Sequence, residues 1–249
     1  MSGITTELTH REVKKPRIDI RHLADYMAAQ DRHRARNSIL KKCRYQKLAQ
    51  MYHHQEAKAA IRDHFDAGGG DDLSALIVKA QSLRDRIDDS PYERNLYDYN
   101  ADYLDAFCEN YSSKCLPSSD VEPAKLLTPA IIGGVEVPVE THLRFRRLMK
   151  GSNRVRIGAL MLRYEKGSAL PESTGLWQSA LLFGYIERHA NTGDATPEHK
   201  LCVTLDVWTG KAYEAPSDSI SRFNEAEAAC ATIAAAWDKL EPPTGAILV

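Results

Sequence analysis

The chain has 249 residues, 43% hydrophobic and 27% charged, with a formal net charge of −1. This supports a packed core and excludes a disordered chain, a collagen-like repeat and a disulfide-stapled miniprotein. A near-neutral total also excludes a surface that is basic all over.

No apolar run approaches the ~20 residues that cross a bilayer, so no membrane partner is expected. Residues 1–17 are polar and lack the apolar centre of a secretory signal. The five cysteines, Cys43, Cys108, Cys115, Cys202 and Cys230, are odd in number, scattered and without a CxxC pair. They read as reduced thiols of a cytoplasmic protein rather than as a disulfide frame or a zinc site.

The neutral total conceals a split. Residues 1–65 carry 14 Lys and Arg against 7 Asp and Glu, a balance of +7, and residues 66–130 carry the opposite balance of −7. The plainer meaning is two helical layers that attract each other; the alternative is a basic surface for nucleic acid.

In chain order, residues 1–18 read as a flexible polar arm. Asp19 is a helix cap for about 20–31, with Leu23, Tyr26 and Met27 on the apolar side. Seven cations then crowd into sixteen positions: Arg32, Arg34, Arg36, Lys41, Lys42, Arg44 and Lys47. Ile39, Leu40, Cys43, Leu48 and Met51 recur among them at helical spacing, which predicts one helix over about 38–65 with a basic N-terminal half. Gly68, Gly69 and Gly70 end it. The stripe Leu73, Leu76, Ile77, Ala80, Leu83 and Ile87 predicts a third helix. Ser90, Pro91 and Glu93 open a fourth, with Tyr92, Leu96, Tyr99, Tyr103 and Phe107 along one face. Those aromatics read as core, because Asp98, Asp102 and Asp105 beside them repel phosphate.

Residues 112–130, rich in Ser, Pro and Asp, read as a linker. Beyond them the period changes to two, predicting a half-buried strand over 135–146 and a central strand over 155–164. A helix is expected over 173–190, strands over 201–208 and 212–215, a last helix over 218–240 and a loose tail over 241–249. The fold class is therefore α/β (α+β): a helical region over 19–111, then an α/β region over 131–240 with a small mixed sheet flanked by helices.

Chemistry is sparse. There is no GxGxxG, P-loop or GxSxG. His53 and Glu56 share a helix face at i, i+3, where a solvated surface is the plainer reading than a metal pair. Glu140 and His142 point to one face of a strand, and Lys166 ends the next. Carboxylates on one strand with a lysine at the end of its neighbour suit metal-assisted phosphodiester cleavage: acids hold Mg²⁺, the metal activates water, and the lysine orients it.

Glu56 in HHQEAKAAIRDHF, Glu140 in VEVPVETHLRF, LRYEKG at 162–167, and Gln178 with Tyr185 in WQSALLFGYI follow one another in an order that resembles the PD-(D/E)XK nuclease core of the RecB exonuclease type. The resemblance spans about residues 50–215 and implies a restriction-endonuclease-like fold with Mg²⁺ as cofactor. It implies Glu56 and Glu140 as metal ligands, Glu165 as an adjacent acid, Lys166 orienting water and Gln178 supporting the site. Two departures mark a degenerate member. Tyr164 stands where the second acid belongs, two residues before Lys166, and the first acid position falls on Glu140 or on His142.

The reading is thus a protein that handles nucleic acid through residues 32–47 and a nuclease-like core with impaired catalysis. The alternative is a non-enzymatic regulatory protein whose helical layer docks a protein partner.

Overall fold

The computed structural model describes residues 9–48, 54–88, 90–124, 127–149, 151, 154–190 and 195–249. Its centre is a five-stranded mixed sheet in the order β3 (Asp120–Pro123), β6 (Leu143–Leu148), β7 (Val155–Arg163), β8 (Thr196–Asp206), β9 (Ala212–Glu214). β6 and β7 are antiparallel neighbours. β7 and β8 are parallel, joined across one face by helix α6 (Glu172–Tyr185). This confirms the α/β fold class.

Alternation along the strands divides the core in two. Ala159 and Met161 of β7 and Cys202 of β8 face one side. Leu160 and Leu162 of β7, with Leu201, Val203 and Leu205 of β8, face the other. On the first side lie α1 (Ile20–Ala28), α2 (His33–Arg44), α6 and α7 (Ser219–Ala236). The second side carries α3 (Gln55–Asp66), α4 (Ser74–Arg84) and α5 (Pro91–Asn110). The helical region 19–111 is therefore shared between the two faces of the sheet.

Several predicted boundaries move. The single helix over 38–65 is two, α2 and α3, separated by strand β2 (Tyr45–Lys47), with residues 49–53 outside the described set. Tertiary pairing overrides local propensity there. β2 runs antiparallel to β1 (His10–Glu12), and the Tyr45 hydroxyl donates to the Leu240 carbonyl at 2.7 Å. Residues 10–18 are correspondingly no arm, since β1 is paired and Ile18 is 1% exposed. The tail is not loose either. The Thr9 N–H donates to the Ile247 carbonyl at 2.9 Å and the Val249 N–H to that of His10 at 3.0 Å.

The strand over 135–146 is interrupted at Pro138, which has no N–H for a ladder. Its first part, β5 (Val135–Val137), forms a hairpin with β4 (Ala130–Ile132), and its second part is β6. The linker over 112–130 contains the sheet-edge strand β3 and the start of β4. In the third predicted helix, α4, Ile77 is 56% exposed, and Ile87, 96% exposed, lies beyond the helix end at Arg84, so the buried stripe is only Leu76, Ala80 and Leu83. In α5, Tyr103 and Phe107 are buried whereas Tyr92 and Tyr99 are not. The two helix caps agree with the sequence. Asp19 accepts from the His22 N–H at 2.8 Å and Ser90 from that of Glu93 at 3.4 Å.

Where β7 meets β8 the register slips between Ile157 and Ala159. A side chain on Gly158 would place its Cβ 2.0 Å from the Leu201 carbonyl oxygen. Gly158→Ala is expected to lower stability in urea unfolding by about 1–3 kcal/mol, the usual scale of overpacking. Gly70→Ala, with open space around it, should stay within about 0.5 kcal/mol of the parent.

Candidate functional site

The residues proposed for a nuclease centre do not meet. Glu56 accepts from Lys79 at 2.7 Å and Arg86 at 2.7 Å, both from the α4 side of its helix. Glu140 accepts from Lys58 at 2.7 Å. Two residues along a helix turn through about 200°, so Glu56 and Lys58, and with Lys58 its partner Glu140, lie on opposite sides of α3. Lys166 is 61% exposed and donates to Asp102 of α5 at 2.6 Å. Gln178 is fully buried on the α6 side, where its Oε1 lies 3.4 Å from the Arg163 guanidinium. Arg163 also donates to Asp25 of α1 at 2.8 Å.

Tyr164, in place of the second acid, is stacked on Tyr103 with ring centres 4.3 Å apart. His142, in place of the first, is buried and accepts from the Leu162 N–H at 3.3 Å. Among the described residues no three His, Cys, Asp or Glu side chains converge as a metal-holding group, and His53 lies outside them. The donor set does not fit a Mg²⁺ site. Each carboxylate proposed as a ligand is already neutralised by a cation of its own, and a phenol occupies the place of the second acid.

A different site is built on the opposite face. α2 buries Leu40 and Cys43 against the core. That orientation turns Arg34, Asn37, Ser38, Lys41 and Lys42 outward, at spacings of three, four, seven and eight, onto one face of the helix. All five line a cleft of about 950 Å³ between α1, α2 and β2, which also receives Arg17, Arg21 and Lys47. Asp19 is the one carboxylate among its described lining residues, and it is engaged by Arg21 at 3.2 Å and His22 at 2.9 Å. Burial raises the Asp19 pKa, but the Arg21 guanidinium and the interactions and hydrogen bonds from His22 hold it well below the usual carboxylate range. Among the described residues, Arg34, Lys41, Lys42 and Lys47 form no ion pair or side-chain hydrogen bond.

No protein-family model matches the chain, and no curated protein matches it.

Four of the seven cations singled out in the sequence thus face the cleft, and three do not. Arg36 donates to the Tyr26 carbonyl at 3.1 Å and lies over its ring. Arg44 is 11% exposed, bridges to Glu12 at 2.7 Å and donates to the Trp237 carbonyl. Arg32 donates to the Ala29 carbonyl at 3.3 Å. These three hold the fold together. The sequence reading missed Arg17, Arg21 and His22. The cap at Asp19 was the signal that could have found the last two, because it fixes them in the first turn of α1.

Two further cavities, of about 610 and 470 Å³, share wall residues with the cleft, and Arg21 lines all three. Glu140 lines the second and Glu165 the third, and Lys166 lines none of the three.

Burial pushes the His142 pKa down to about 4, against the pull of Glu140. A depressed histidine is neutral in the fold, so its contribution is complete above its unfolded value of about 6.5 and fades as pH falls towards 4. The melting temperature is expected to drop over that window. His142→Gln should flatten the drop, as read by thermal melts at stepped pH.

Proposed function

We propose that this protein binds nucleic acid through the α1–α2 cleft and does not hydrolyse it. One observation carries the reading: four unpaired cations on α2 and β2 converge on a cavity whose only described carboxylate is already neutralised. Grouping like charges costs free energy, and at physiological ionic strength their repulsion reaches over about 8 Å. A ligand with regularly spaced negative charges reverses that cost and releases counterions, which is how phosphate backbones are held. A monoanion would engage only one or two of these side chains.

The antiparallel β6–β7 pair followed by the α6 crossover to parallel β8 is consistent with the core the sequence resembles. The separately paired Glu56, Glu140 and Lys166 support a degenerate relative in which binding outlasted chemistry.

Fluorescence anisotropy with a labelled DNA strand over a salt series tests the claim. Affinity is expected to fall steeply with salt, and the slope of log K against log salt should shrink by about one for each phosphate contact removed in Lys41→Ala and Lys42→Ala. Lys114→Ala, outside the cleft, should match the parent. No binding at low salt would overturn the reading and favour the protein-docking alternative. DNA incubated with Mg²⁺ or Mn²⁺ should remain intact; cleavage lost in Glu140→Ala and Lys166→Ala would restore the catalytic reading.

A further inference from the structure

We propose that the cavity of about 610 Å³ beside the cleft binds a small organic monoanion, a carboxylate carried on an apolar chain or ring. This site differs in chemistry from the nucleic-acid cleft and does not rest on that reading.

The cavity lies where α1, on one side of the sheet, and α3, on the other, approach the end of β7. Ile20 and Arg21 of α1, Arg62 of α3 and Met161 of β7 all line it. Its inner wall is apolar: the buried Ile20, Val139 and Met161, with Leu127, Pro129 and Pro138 beside them. An apolar group that covers this wall is itself removed from water, which favours binding. The volume falls within the range of about 300–1,000 Å³ common to small-molecule sites.

Charge decides the class of ligand. Among the described lining residues, three arginines (Arg17, Arg21 and Arg62) stand against two carboxylates, Asp19 and Glu140, a surplus of one positive charge. Partners outside the lining leave that surplus unchanged, because Glu136 on Arg17 offsets Lys58 on Glu140. The main cleft sets six Lys and Arg against Asp19 alone. A polyanion suits the cleft, and a single negative group suits the cavity.

The surplus resides on Arg62. Arg17 is bonded to Glu136 at 3.1 Å and Arg21 to Asp19 at 3.2 Å, whereas the Arg62 side chain forms no ion pair or hydrogen bond among the described residues. Its direction follows from the helix. Lys58 reaches Glu140, and Arg62, four residues on, shares that face of α3. A planar guanidinium matches a carboxylate through two parallel N–H···O bonds. Glu140 in the same wall repels a second negative group, and the arginines repel a cation.

Isothermal titration with octanoate, octanol and octylammonium tests the proposal. Octanoate is expected to bind most tightly and octylammonium not at all. Arg62 is exposed, so Arg62→Ala should keep the parental melting temperature while weakening octanoate by about ten- to a hundredfold, down to the level of octanol. Arg62→Lys, which keeps the charge without the planar fork, should recover part of the affinity. Leu127→Asn should weaken octanoate and octanol alike. Lys41→Ala, outside this cavity, should bind octanoate as the parent does even where it loses DNA, so the two sites stand or fall separately. No uptake of octanoate, octanoate bound no better than octanol or octylammonium, or an Arg62→Ala variant that binds octanoate like the parent would overturn the proposal.

Discussion

Helix α6 has no face for solvent. Eleven of its fourteen residues, from Thr174 to Tyr185, are buried, including the polar Thr174, Gln178 and Ser179. A helix apolar nearly all round must be covered on every side. The sheet covers one side, and α1 and α7 cover the others. Part of its polar content is met inside: the Ser179 hydroxyl contacts Thr204 at 2.9 Å and the Tyr213 carbonyl at 2.7 Å, and the Gln178 Oε1 accepts from Arg163, while the buried Gln178 Nε2 has no hydrogen-bond partner among the described residues. The need to cover α6 places α1 over the end of β7, where the Arg163–Asp25 bridge fixes it, and α2 follows α1 after a short turn. The position of the basic cleft is thus a consequence of burying an apolar helix that contributes none of the cleft's lining.

The same arrangement explains the charge split. The sequence invited a picture of a basic and an acidic layer held together by attraction. Instead α1 and α2 lie on one side of the sheet, and α4 and α5 on the other. The acidic side finds cations locally: Arg84 meets Asp102 and Asp105, and Lys166 meets Asp102. Exposed pairs of this kind contribute little each. Their effect here is to consume acid on the far face, so the near face keeps its positive charge and the molecule its neutral total.

What could be read beforehand was whatever depends on local pattern. The caps at Asp19 and Ser90, the long apolar strand at β7, and helices α5, α6 and α7 follow from spacing and end signals alone. What failed depends on partners distant in sequence. Tyr45–Lys47 looks helical until β1 arrives from residues 10–12. Residues 241–249 look loose until Thr9 and His10 meet them. The site fared likewise. The helical period placed Lys41 and Lys42 together on a basic helix, but its expected start at residue 38 left Arg34 outside, whereas α2 begins at His33. No period could reveal that Arg44 is spent on Glu12, or that Lys58 turns Glu140 away from Glu56. Order along the chain sets which residues are available to a centre; pairing in space decides which remain free.

The clasp between residues 9–12 and 247–249 bears on how the molecule responds to load. His10 and Leu248 pair in parallel, and bonds run in both directions between the two segments. Tension that draws residue 9 and residue 249 apart therefore acts along these segments, not across them. Such a clasp is sheared, with its hydrogen bonds strained together, whereas an antiparallel one would be peeled open bond by bond. Together with the Trp237 indole N–H on the Val13 carbonyl at 3.0 Å, this makes the seam beside the cleft resist being pulled open from the ends of the chain.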